Sequence, residues 1–304
     1  MEKSLKNYHN PVMLMQSIDA LAIKSDGIYV DLTFGGGGHA GQILNRLGKN
    51  GKLYAFDQDG DAKSNVPDDP RFTFINHNFK YLSNHLRLYG VLQVDGIFGD
   101  LGVSSHQFDT EARGFSTRMD CPLDMRMDTR KGQTAADILN TYSAEELMSV
   151  FRKYGEIPNA GKLAKLIVAE REKEPFLTSK NLLNRIQTCM PLHKEYKYAA
   201  QLYQALRIEV NDELDALQSL LNQSVTLIKT GGRLVIISYH SLEDRMVKYF
   251  MRSGNMEGKV EKDFYGNSLS PWILITHKPL TPDEQELSDN NRSRSARLRI
   301  AERR

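Results

Sequence analysis

The sequence predicts an α/β fold, a Rossmann-like sheet of mainly parallel strands interrupted by a smaller all-helical insertion. Three observations carry this. Ile28–Gly41 (IYVDLTFGGGGHAG) joins a short apolar run to a glycine cluster and then to Ile43, Leu44 and Leu47 at helical spacing. Two further apolar runs, KLYAFD at 52–57 and VDGIFGDLG at 94–102, carry an acid at or near their ends. From Gly114 onward only helical patterns follow, until strand character returns at Gly231–Ser241.

In chain order, Met13–Ala22 reads as a short helix leading to the first strand, Ile28–Val30, which Asp31 closes. Gly35–Gly38 then make a turn that lets backbone N–H groups approach a ligand, since glycine carries no Cβ and tolerates φ > 0. The helix that follows aims its N-terminus at negative charge. Two fingerprints overlap here. Gly36, Gly38 and Gly41 satisfy the dinucleotide pattern G-x-G-x-x-G, whereas Asp31, Gly35 and Gly37 satisfy the D-x-x-x-G-x-G of S-adenosylmethionine methyltransferases. A glycine-rich surface turn without a ligand is the plain alternative.

Lys52–Asp57 is the second strand, and Asp57 stands roughly 20 residues beyond the turn, where such folds set a carboxylate on ribose hydroxyls. A solvated strand-end acid is the competing reading. Phe72–Phe79 is the third strand, with Phe79 placed either to stack on an adenine or to fill the core. Val94–Gly102 is the fourth; Asp100 lies at its carboxyl end, and Gly99 in its interior suggests backbone crowding. Ser104–Gln107 reads as a polar loop and Phe115–Asp128 as an ordered one. Helices follow over Ser143–Tyr154, with Ser143 and Glu146 as a capping box, around Leu163–Ile167, and after Thr178. One long apolar stripe then runs from Tyr203 to Leu221. Gly231–Ser241 and Trp272–Thr276 resume the sheet. The expected organisation is a first sheet segment over 1–112, the helical insertion over 113–213 for substrate recognition, and a second sheet segment over 214–304 with a basic tail.

The 304 residues can bury a sizeable core, and a net charge of +2 is too mild to identify a partner. The distribution says more, because Arg292, Arg294, Arg297, Arg299, Arg303 and Arg304 crowd the tail against Glu302 alone. Cys121 and Cys189 form neither a Cys-x-x-Cys pair nor a disulfide framework. Neither a signal-peptide core nor a run of ~20 apolar residues is present, so a soluble cytoplasmic setting with no membrane contact is expected. No tyrosine is followed by Lys at Tyr-x-x-x-Lys spacing, which turns the reading away from NAD. No H-E-x-x-H or paired-cysteine pattern points to a metal.

Longer strings add a family resemblance. His9–Met13, Thr33–Gly41, DLGVSSHQ at 100–107, RGFS at 113–116, PLDMRMD at 122–128, ALRIEVNDE at 205–213, SYHSLEDRMV at 238–247 and RSRSARLR at 292–299 are similar to the RsmH (MraW) family. These are bacterial methyltransferases acting on N4 of a decoding-centre cytidine in 16S ribosomal RNA. The resemblance implies a class I methyltransferase sheet using S-adenosylmethionine, with Gly37, Gly38, His39, Asp57, Phe79, Asp100 and Gln107 around the cofactor. It implies 16S RNA of the small ribosomal subunit as partner and leaves the oligomeric state open, a homodimer included. Cys121 and Asn291 depart from the glycine and proline usual in the family.

Asp100 falls where amino-methyltransferases carry Asp/Asn-Pro-Pro-Tyr, here replaced by Asp-Leu-Gly. Asp100, or the Leu101 carbonyl, is the candidate acceptor for the amine proton; Asp100 as a cofactor ligand alone is the alternative. Asp124, Arg126, His240, Ser241 and Asp244 are candidates for holding the base, while Arg118, Arg126, Arg130 and the arginine tail from Arg292 to Arg304, with Arg292 and Arg294 foremost, are candidates for phosphate. A methyltransferase acting on another RNA or DNA base, or an assembly factor without catalysis, is the runner-up.

Overall fold

The computed structural model of the chain describes residues 11–117 and 119–304, so His9, Asn10 and Arg118 lie outside the described residues. The chain forms two compact units, one made by the chain up to Gly102 together with Leu214–Arg304, the other by Val103–Glu213.

In the first unit, α1 (Leu14–Ala20) leads into β1 (Ile28–Asp31), the glycine turn, α2 (Gly38–Arg46) and β2 (Lys52–Phe56). Then come β3 (Phe72–Ile75), α3 (Leu82–Leu88) and β4 (Val94–Asp100). The second unit holds α4 (Ser105–Asp109), α5 (Ala135–Thr141), α6 (Ala144–Lys153), α7 (Ala160–Arg171), α8 (Ser179–Arg185) and α9 (Glu195–Asn211). The chain returns to the first unit with α10 (Glu213–Leu227), β5 (Ile228–Ser238), α11 (Ser241–Ser253), β6 (Trp272–Leu274), α12 (Glu284–Asp289) and β7 (Arg297–Arg303).

The sheet order is β3-β2-β1-β4-β5-β7-β6. β1 to β5 pair in parallel, while β7 runs antiparallel to both β5 and β6. Because β1 lies next to β4, the strand order reverses between them, and folds of this kind bind ligands outside the carboxyl ends of the strands at such a point. The strands are apolar on both faces, as parallel strands covered on both sides must be. Leu234 and Ile236 pack with Val30, Phe56 and Phe250 on one face, while Val235 and Ile237 pack with Tyr29, Phe98 and Ile43 on the other. This is the α/β class with an all-helical insertion that the sequence predicts.

Several local expectations change. The third strand stops at Ile75, and Phe79 begins a 3-10 turn, Phe79–Tyr81, capped by the Asn78 side chain. Ser104–Gln107 is not a loop: it opens α4 through a capping box between Ser104 and Gln107. The long stripe from Tyr203 to Leu221 is broken at Asp212, whose φ of 51° ends α9 before α10 starts. The helix α5 was not anticipated, although Thr134 and Asp137 spell its capping box. The predicted crowding at Gly99 is present, since a Cβ there would meet Leu32 Cδ1 at 3.0 Å and Ile236 Cδ1 at 3.2 Å.

The largest correction concerns the tail. Arg297–Arg303 is a strand inside the sheet, with Leu298, Ile300 and Ala301 buried. Arg299 is buried as well, and its guanidinium grips Asp244 at 2.7 and 3.1 Å. The expectation that the tail arginines and Asp244 face the RNA therefore fails at Arg299 and Asp244, which serve the fold; the flanking charges obscure the alternation Leu298-x-Ile300 in the sequence.

Candidate functional site

The site is built on the carboxyl ends of β1, β2 and β4. Asp31 closes β1 fully buried; its Oδ1 accepts from Thr33 N at 3.0 Å, and its Oδ2 has no partner among the described residues. Burial, with the nearby Asp57 charge adding to it, pushes the Asp31 carboxyl up to about 7. The chain then turns with φ of 48° at Gly35 and 78° at Gly37. A Cβ on Gly37 would sit 3.1 Å from the Phe34 ring, and one on Gly38 would sit 2.2 Å from Pro11 Cγ. Gly41 faces open space instead. Positive φ therefore falls on the two glycines of D-x-x-x-G-x-G, and nothing crowds the third glycine of the dinucleotide pattern. α2 begins at Gly38, so the first-turn amides of Gly38, His39 and Ala40 point outward as donors.

Asp57, one residue past β2, reaches back into this turn. Its Oδ2 accepts from Gly35 N at 2.7 Å and its Oδ1 from Asp59 N at 2.8 Å. Asn65 Nδ2 donates to Gly35 O at 2.9 Å and fixes the turn from the other side. Phe79 is partly buried and packs on the sheet core. His39 is buried with Nε2 3.1 Å from Val12 O and its ring centroid 4.5 Å from that of Phe98. Burial lowers its pKa to about 4, so the neutral ring donates to that carbonyl, and His39 offers the turn its main-chain amide.

Asp100 ends β4 partly buried. Its backbone N donates to Thr33 Oγ1 at 2.7 Å, and its Oδ1 accepts from the Tyr239 hydroxyl at 2.7 Å. Burial raises its pKa to about 7; the Tyr239 bond opposes this, while the Asp31 and Glu243 charges reinforce it. Tyr239 and Thr33 are the residues that sequence reasoning missed as parts of the site. Each directly follows or closely follows a strand end, which is the signal that could have found them.

Gln107 belongs to the second unit, where its Oε1 accepts from Ser104 N at 3.1 Å within the cap of α4. Asp124 and Arg126, also there, form a two-pronged pair with both contacts at 2.8 Å. Asp128 and Arg130 repeat that arrangement at 2.7 and 3.0 Å. In the first unit His240 caps α11, with Nε2 3.2 Å from Glu243 Oε1, and Ser241 opens the helix. Arg292 and Arg294 sit exposed on the 3-10 turn Asn291–Ser295.

The fit to a cofactor rests on three features: the unpartnered buried Asp31 Oδ2, glycines whose Cβ would collide, and acids grouped at three strand ends. Such a donor and charge set suits a ligand carrying a positive centre and hydrogen-bonding hydroxyls. Among the described residues no helix is long and apolar enough to cross a membrane.

Comparison with known proteins shows the family. The profile of the MraW methylase family matches residues 6–304. The ribosomal RNA small subunit methyltransferase H of Parabacteroides distasonis is 55% identical over 303 residues, covering 99% of each chain. That of Bacteroides thetaiotaomicron is 53% identical over 302 residues, again with 99% of each chain covered. The protein of the same description from Cytophaga hutchinsonii is 55% identical over 298 residues, covering 97% of this chain and 99% of its own.

Proposed function

Because the chain belongs to the MraW methylase family, we propose that it transfers a methyl group from S-adenosylmethionine to N4 of a decoding-centre cytidine in 16S ribosomal RNA of the small subunit. The observation that carries the cofactor assignment is the grouping of Asp31, Asp57 and Asp100 around the glycine turn, with Asp31 Oδ2 buried and unpartnered among the described residues. Identity of 55% to a relative named for small-subunit ribosomal RNA supports the target.

S-adenosylmethionine supplies an electrophilic methyl group on a sulfonium. The turn at Gly35–Gly38 and the amides of α2 would hold its polar ends, with Asp57 on the ribose. A cytosine amine is a weak nucleophile because its lone pair is delocalised into the ring. Fixing that nitrogen in line with the methyl group lowers the entropic part of the barrier. Tyr239 occupies Asp100 Oδ1 and leaves Oδ2 to accept from the amine, which favours rehybridisation. On transfer the amine nitrogen would take the methyl group from the sulfonium, and an amine proton would pass to Asp100. A carboxyl with a pKa of about 7 is well matched to that task near neutral pH.

The test is tritiated methyl transfer from S-adenosylmethionine to small subunits from a strain lacking the enzyme, to free 16S RNA and to naked DNA. Nuclease digestion and mass spectrometry then identify the product. N4-methylcytidine from ribosomal RNA is expected. Label in DNA or at another base would replace the assignment, and no label in any arm would favour a non-catalytic assembly factor.

A further inference from the structure

A cavity of about 650 Å³ opens in the first unit beside the end of β5. Tyr239 forms part of its wall, joined by Arg245, Lys248 and Tyr249 of α11 and by Arg294 and Arg297 before and at the start of β7. One carboxylate, Asp244, belongs to the lining, and it is already committed. Arg299 grips it at 2.7 and 3.1 Å, and Arg297 adds a contact at 3.4 Å. Lys248 and Arg294 make no ion pair among the described residues. Lys248 and Arg294 thus bring positive charge to a concave space whose lining carboxylate is already paired, and there it attracts an anion more strongly than on a convex surface.

The walls also limit what kind of anion fits. Tyr239, Tyr249 and Pro279 give apolar area beside the cations, and the volume lies within the roughly 300–1,000 Å³ of small-ligand sites. A phosphodiester with its sugar satisfies both parts. Tyr239 links this space to the proposed reaction centre, because the hydroxyl of this wall residue bonds Asp100 Oδ1 at 2.7 Å.

We propose that this cavity is a subsite for the phosphodiester and ribose of a nucleotide flanking the target cytidine, with Lys248 and Arg294 as its phosphate contacts. The inference rests on the function proposed above and adds to it a place for the RNA strand. A base can enter a methyltransferase pocket only when its neighbours are held unstacked, and a clamp on the adjoining phosphate does that.

Lys248→Ala, Arg294→Ala and the double variant of the full chain test this. The probe is a short single-stranded RNA oligonucleotide carrying the target cytidine, with affinity followed by fluorescence anisotropy across a salt series. Each substitution should weaken binding several-fold and reduce the slope of log K against log salt by about 0.7, the value for one single-strand phosphate contact. Calorimetric affinity for S-adenosylmethionine and the denaturation midpoint should stay at parental values. A neutral methylphosphonate at the flanking position should cost the parent as much as the substitution does, and cost the variant little. Parental affinity and slope in the double variant, with methyl transfer intact, would overturn the subsite and spare the enzyme assignment. A parent that methylates no RNA would overturn the assignment and the subsite with it.

Discussion

Two sets of aspartates in this molecule meet opposite fates. At the sheet edge, Asp31 and Asp100 are pushed up to about 7, chiefly by burial, and no cation among the described residues compensates them. In the second unit Asp124 is also partly buried, and burial alone would raise it, yet the Arg126 fork holds it below the usual carboxylate range. Asp128 is held down first by its bond to Arg130. A carboxylate whose counter-charge is built into the chain is finished as structure. One that stays hydrogen-bonded but without a cation favours a positively charged ligand. The contrast separates site from scaffold more sharply than residue type does, since all four acids stand in distinctive sequence strings.

The strongest way to break the contrast is Asp100→Asn. The amide keeps an acceptor for the Tyr239 hydroxyl but cannot take a proton, so turnover should fall by roughly 10²-fold or more. Affinity for S-adenosylmethionine should change far less, and stability at pH 8 should hold or rise because an unfavourably buried charge has gone. Stopped or steady-state methyl transfer beside a calorimetric titration reads both. Full turnover in this variant would reduce Asp100 to a cofactor ligand.

The next effect is one of pH, and the two sets run in opposite directions. For Asp31 and Asp100 the folded-state pKa is raised, so their charge opposes folding above about pH 7, and stability grows as pH falls from there toward 4. A sulfonium favours the ionised form. Binding of S-adenosylmethionine should therefore release a proton and weaken as pH drops, by about tenfold between pH 8 and 6 if the pair must ionise as one macroscopic step. Calorimetry in buffers of different ionisation enthalpy counts the proton. For Asp124 and Asp128 the pKa is lowered, so their contribution is present above the ordinary carboxylate range and is lost only as pH falls through it. A flat affinity between pH 6 and 8 would mean that the sheet-edge acids do not face the positive centre.

Legibility from sequence follows the same division. Strand, glycine turn and helix were readable at 28–47 because apolar runs, positive-φ glycines and helical spacing are local signals. Capping boxes were equally local, and the one at Ser104 and Gln107 was missed only because that segment is short and polar. What could not be read is set by distant partners. Arg299 looks like any tail arginine until Asp244 lies against it, 55 residues away in sequence. Tyr239 gains meaning only from Asp100, 139 residues earlier, and the break at Asp212 falls within an unbroken apolar stripe. Charge in a sequence shows which groups need a partner, and the fold decides which of them receive one.

The smallest predicted effect lies in the paired set. The Arg130 side chain is 56% exposed, and its pair with Asp128 is open to solvent and salt. Arg130→Gln should change the unfolding free energy by no more than about 0.5 kcal/mol, and at high salt by less. Arg126→Gln should cost about 1 kcal/mol, because both members of its pair are only about a quarter exposed and the fork is two-pronged. Urea denaturation at two salt concentrations measures both. If Arg130→Gln instead leaves stability alone and lowers RNA affinity with a reduced salt slope, Arg130 contacts phosphate as its sequence position suggested. Its pair with Asp128 would then be a holding position that the nucleic acid displaces, and compensation within the chain would no longer mark a side chain as scaffold alone.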